Sequence, residues 1–171
     1  MFSIGMLNQN VAILGASRPY AVLILHMDGT DGASVFTDSS TYNHTMTKTG
    51  APTTSSTLSR FGTTSLENSG SSSVNSPTSA IFDLSNKIPF CAEFWTYGFT
   101  ALSHTLSTRN AAVYSPFEVR GSGTGDMYGY VGDATLTNWQ TTGLGTGGTS
   151  IPAASWNHIA IVGDGTTIKL Y

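Results

Sequence analysis

The sequence predicts an all-β fold, an antiparallel sandwich or barrel, from three observations. No stretch of helix length carries an apolar face at helical spacing. Short runs rich in Val, Ile, Thr and aromatic residues recur along the 171 residues, separated by Gly, Pro, Asn and Asp turns. Pro89–Tyr97 alternates with a period of two. Phe90, Ala92, Phe94 and Thr96 fall on one side of that stretch, and Cys91, Glu93, Trp95 and Tyr97 on the other. The first side is apolar enough for a core, where each buried Phe contributes roughly 1.5–3 kcal/mol. The second side mixes rings with a carboxylate and is expected to meet water or a cleft.

In chain order, residues 1–19 read as an extended N-terminal arm with a short strand at Val11–Leu14, and residues 20–171 as one β domain. Apolar Met1, Phe2, Ile4, Met6 and Leu7 are the arm residues expected to dock on neighbouring subunits. Ala21–Gly29 is nearly continuously apolar, a strand covered on both sides and ended by the Asp28-Gly29 and Asp31-Gly32 turns. Val35–Ser40 and His44–Thr49 read as short strands around a polar loop, and Gly50–Ser59 as a loop. Arg60–Asn68 is a further strand entered through Gly62. Ser69–Ser73 is a turn, Val74–Pro77 a short edge segment, and Ile81–Leu84 one turn of helix. After the central strand at Pro89–Tyr97, Gly98–Ser107 brings a loop and a strand start. Ala111–Arg120 is a strand interrupted at Pro116, which belongs at an edge or bulge. Gly121–Gly125 turns the chain into Asp126–Gly132. Ala134–Gln140 is the next candidate strand, Gly143–Thr149 a glycine-rich loop, Ser155–Val162 a strong strand, and Thr167–Tyr171 its return. A final strand with no turn or polar tail after Tyr171 reads as part of a longer polypeptide, leaving the sandwich incomplete at its C-terminus.

Composition narrows the function classes. Charged residues make up 10%, against about 25% in an average globular protein, so hydroxyls and amides solvate the surface. A net charge of -3 supplies no basic field for nucleic acid or anionic lipid. No apolar run reaches the ~20 residues of a membrane span, and Met1–Ala16 lacks the basic start and small-residue cleavage site of a secretory signal. The single cysteine, Cys91, allows no internal disulfide and reads as a small strand hydrophobe.

Four segments then resemble the concanavalin A-like lectin/glucanase superfamily, specifically its laminin-G-like jelly rolls. Leu23-Ile24-Leu25-His26-Met27-Asp28-Gly29 is similar to the opening strand that ends in His-Phe-Asp-Gly. Phe61-Gly62-Thr63-Thr64-Ser65-Leu66 is similar to Phe-Gly-x-x-Ser-Leu. Phe90–Tyr97 resembles Phe-Thr-Ile-Glu-Phe-Trp-Val-Tyr. Trp156–Val162 followed by Ile168–Tyr171 resembles Trp-x-His-Ile-Ala and Leu-Lys-Leu-Tyr. All four stand in the expected order. The resemblance implies an antiparallel jelly-roll β-sandwich over residues 20–171, with the family's last strand beyond Tyr171. It also implies a structural protein of a phage or other virus, a capsid decoration or a tail or fibre module. Its partners would be other virion proteins, copies of itself or surface glycans. The alternative is a carbohydrate-binding domain of an extracellular protein.

Glucanases of this superfamily place paired carboxylates at alternate positions of one strand, and retaining hydrolysis needs them about 5–5.5 Å apart. The equivalent strand here offers Glu93 alone, so no enzyme is expected. Asp28, Asp31 and Asp38 follow the first strand and are the candidate calcium ligands, the competing role being to cap their own turns. The four histidines form no metal-spacing motif, and His26 and His158 read as hydrogen-bonded sheet residues. Gly143, Gly145, Gly147 and Gly148 precede neither a Lys nor a helix, unlike a phosphate loop. For sugars, Trp139, Tyr128 and Tyr130 are the candidate stacking rings, with Trp139 exposed between Asn138 and Gln140. Trp95 and Trp156 are expected to fill the core and the sheet faces.

Overall fold

The computed structural model describes residues 4–8, 20–67, 72–77, 82, 90–97, 104–107, 117–121, 127–132, 139–145, 152, 154–164 and 167–171. These are all-β, built as small antiparallel sheets with no α-helix. The strands are β1 (Ile4–Asn8), β2 (Tyr20–Leu25), β3 (Thr47–Thr49), β4 (Thr53–Ser55), β5 (Ser65–Glu67), β6 (Ser73–Asn75), β7 (Phe90–Thr96), β8 (His104–Ser107), β9 (Phe117–Gly121), β10 (Met127–Gly132), β11 (Trp139–Gly145), β12 (Asn157–Gly163) and β13 (Ile168–Leu170). The larger sheets run in the orders β13-β12-β7-β1-β2 and β11-β10-β9-β8, and β3 with β6 and β4 with β5 form two-stranded ribbons.

β7 is the strand its alternation predicts. Phe90, Ala92, Phe94 and Thr96 are buried, and the residues between them are half-buried. β12 lies on one side of it in register, with Phe94 opposite Ile159 and Phe90 opposite Gly163. The glycine is required at that pair: a Cβ on Gly163 would lie 2.6 Å from the Phe90 ring. Both larger sheets feed one core. Phe94, Phe90 and Ile161 of the five-stranded sheet cluster with Val119 and Met127 of the four-stranded sheet, and Leu66 and Phe82 join them. In β2 the consecutive residues Val22 and Leu23 are both buried, in keeping with a strand covered on both sides.

Of the segment 1–19 expected as an arm, the described residues Ile4–Asn8 are a strand of this chain's own sheet. Ile4, Met6 and Leu7 lie in β1, which pairs with β2 on one side and β7 on the other. The backbone donors and acceptors that an assembly arm would offer to another subunit are engaged inside this chain. A register shift between Met6 and Leu7 marks a bulge in the pairing with β2. Met1, Phe2 and the strand expected at Val11–Leu14 lie outside the described residues.

Other boundaries also move. Val35–Ser40 and His44–Thr49 form mainly isolated bridges, Leu25 with Asp38 and Thr37 with Thr45, and only Thr47–Thr49 becomes a strand. The expected loop Gly50–Ser59 contains β4, whose Thr54 side chain donates to Thr30 O at 2.6 Å. β9 starts after Pro116 and β11 at Trp139, continuing through Gly143 and Gly145. Of the helical turn expected at Ile81–Leu84, only Phe82 is described, and it is buried.

Candidate recognition site

The site grows from the half-buried face of β7. Glu93, Trp95 and Tyr97 share that face because a strand alternates sides at each residue. In the register with β12, His158 stands opposite Trp95 and the small Ala160 opposite Glu93. His158 Nε2 lies 3.1 Å from Glu93 Oε2, and its ring sits 5.0 Å from that of Trp95. The pair is about 40% exposed on both sides, so it contributes at most about 1 kcal/mol. Trp156, just before β12, packs against Tyr97 with ring centroids 5.6 Å apart.

A loop supplies the other wall. Gly62 adopts φ +67°, and a Cβ there would run into the Asp28 carboxylate. Thr63 N–H donates to Asp28 Oδ1 at 3.2 Å. Thr64 Oγ1 accepts from Gly29 N–H at 2.9 Å and donates to Met27 O at 3.1 Å. Two of the segments that resemble the jelly-roll family, Leu23–Gly29 and Phe61–Leu66, are thus joined in space. This docking carries Arg60 and Phe61 over β7. Phe61 meets Trp95 edge-on, with centroids 5.7 Å apart and planes at 84°. The Arg60 guanidinium carbon lies 4.4 Å from the Trp95 ring centroid and 5.0 Å from that of Phe61. At an exposed site each such cation–π contact is worth about 0.5–1 kcal/mol. Between the two walls lies a cleft of about 20 Å³, completed by His26, Thr64, Ser65 and Trp156.

The three aspartates expected to hold calcium do other work. Asp28 receives the Thr63 amide. Asp31 Oδ1 accepts the Ser56 amide at 2.7 Å, and that bond first, then the Ser56 side chain, holds its carboxyl below the usual range. Asp38 is 2% exposed. Its Oδ1 accepts from the Ile24 and Ser40 amides, and its Oδ2 from the His44 amide and the Ser40 hydroxyl, all within 2.8–3.0 Å. Burial pushes the Asp38 pKa up, but the amides of Ile24, His44 and Ser40 together with the Ser40 hydroxyl outweigh it and hold the group lowered. Among the described residues no three His, Cys, Asp or Glu side chains gather into a group that could hold a metal. Each of the three carboxylates named as calcium candidates, Asp28, Asp31 and Asp38, satisfies a separate stretch of backbone. Cys91 is half-buried, and burial first, then Glu93, pushes its thiol pKa up.

The rings expected to bind sugar lie on the other large sheet. Tyr128 and Tyr130 are half-buried on one face of β10, alternating with buried Met127 and Gly129. Trp139 pairs with Gly132 at the start of β11, and its side chain lies outside the described residues. Trp95 and Trp156, expected in the core and on sheet faces, are half-buried and line the cleft, Trp95 from the face of β7. Arg60 and Phe61 gave no sign of this in the sequence beyond Gly62 after them, a residue free to make the left-handed turn. Comparison with protein families, curated proteins and solved structures finds no match to this chain.

Proposed function

We propose that this chain is a non-enzymatic interaction module of a virion, a capsid decoration or part of a tail or fibre, which attaches to surface glycans. We further propose that its sheets form a jelly-roll β-sandwich of the concanavalin A-like, laminin-G-like kind. The carrying observation is the cleft beside Trp95, where indole and phenyl rings meet a cation at the surface. Sugars are gripped by rings facing their C–H surfaces and by a few fixed polar groups. The family resemblance of the sequence supports the architecture and the virion setting, and the core shared by the two larger sheets supports the architecture. The non-enzymatic reading is supported by the face of β7, where Glu93 stands between Cys91 and Trp95 and is bonded to a histidine rather than paired with a second carboxylate.

A glycan array probed with the chain tests this. We expect a restricted set of retained sugars, with binding reduced at least tenfold in Trp95→Ala and unchanged in Tyr128→Ala. A blank array would remove the adhesion role, and release of reducing ends from a retained glycan would remove the non-enzymatic one. Sugar binding by a chain that purified particles do not contain would point to an extracellular lectin domain.

A further inference from the structure

We infer that Arg60 and Phe61 form a gate on Trp95: their side chains cover the indole surface that a sugar needs, and they turn aside when one binds. This rests on the adhesion reading above and adds an autoinhibitory contact to it. A ring grips a sugar through its exposed face. The Trp95 indole is already covered. The Arg60 guanidinium carbon stands over it, 4.4 Å from its centroid. Phe61 meets it edge-on at 5.7 Å, and the His158 imidazole lies 5.0 Å away, tilted by 31°. The cleft volume of about 20 Å³ is roughly that needed by one water molecule. A sugar ring therefore enters only if a wall moves.

The wall that moves is made of side chains. On the sheet side, β7 is paired along both edges, and His158 is held by Glu93. On the loop side the backbone is pinned. Asp31 accepts the Ser56 amide and Asp28 the Thr63 amide, while the Ser65 hydroxyl donates to Leu58 O and that of Ser59 to Gly62 O. Gly62 is seated against the Asp28 carboxylate in the left-handed region. On this frame Arg60 is exposed and Phe61 is 58% exposed, and exposed side chains change rotamer within picoseconds to nanoseconds. Binding then requires the arrangement in which both have left the indole. The apparent affinity is the intrinsic one reduced by the fraction of chains in that arrangement. Substituting the gate should thus strengthen binding, whereas substituting a residue that grips the sugar weakens it.

The test is calorimetric titration with cellotriose, maltotriose and chitotriose, neutral sugars with flat C–H faces, and with any sugar the array retains. We expect Phe61→Ala to bind about threefold to tenfold more tightly than the unsubstituted chain, the aromatic contact expressed as affinity. Arg60→Ala should move the same way and the double variant further. Arg60→Lys keeps the charge without the planar stack and should fall between. Trp95→Ala should lose binding in every background. Without sugar, acrylamide should quench Trp95 more strongly in the double variant, read as the difference from the same chain carrying Trp95→Phe. A cooperative urea transition in each variant confirms its fold. Affinity that falls or stays unchanged in both Phe61→Ala and Arg60→Ala overturns the gate and leaves the adhesion reading standing. Equal quenching overturns it too. A sugar retained only by the double variant supports both. If neither the chain nor the double variant retains any sugar, both fall.

Discussion

Asp38 is a carboxylate whose surroundings decide its role. Four hydrogen bonds converge on it, three of them from backbone amides. With the folded pKa held below the ordinary 3.8, the stabilisation is complete above that ordinary value and is lost as pH falls through the folded one. Asp38→Asn removes one acceptor oxygen and turns an amide N–H₂ toward donors. We expect a loss of about 2–3 kcal/mol at pH 7, read as a lower urea midpoint, with the gap to the unsubstituted protein closing below about pH 4. A gap that stays constant to pH 3 would show that the charge contributes nothing. The sequence shows the oxygen of Asp38 but not the amides that use it. That is why three aspartates near one another in sequence pointed to a cation, when each is absorbed by a different piece of main chain. Arg60 was hidden for a similar reason: its partner Trp95 lies far along the chain, and no local pattern announces a stacked guanidinium.

Among the elements, β7 was legible and β1 was not. β7 carries large apolar residues at every second position, so its pattern and its burial coincide. β1 is five residues long and includes Gly5 and Asn8, neither a strand former. Its place is set by the partners on its two sides rather than by its own propensity. Deleting residues 1–8 separates two readings of this segment. Loss of a docking arm would leave the monomer's stability unchanged. Loss of the strand between β2 and β7 exposes two unpaired edges, and we expect the shortened chain to lose its cooperative urea transition and to aggregate. A transition within about 0.5 kcal/mol of the full chain's would rule out the structural role. The outer edge of β2 is managed differently: Ile24 N–H donates to the Asp38 side chain, and Ile24 O accepts the Ser39 amide at 2.8 Å.

For the molecule as a whole, the all-β class followed from turn spacing and from the lack of any helical pattern. The sheet order could not be read in the same way, because strand neighbours are chosen by long-range packing. One cluster of buried side chains draws on both larger sheets, so neither should survive the loss of the other. Urea unfolding followed by tryptophan fluorescence and by far-ultraviolet circular dichroism should therefore give coincident transitions; separated midpoints would show that the sheets melt independently. The position of β1 also constrains how the chain comes off the ribosome. It emerges early, yet one of its two neighbours is β7, residues 90–96. At roughly 5–20 residues per second, translation leaves that flank waiting on the order of several seconds. During this interval the nascent hairpin of β1 and β2 is open to wrong partners, which makes it the natural place for a chaperone to act.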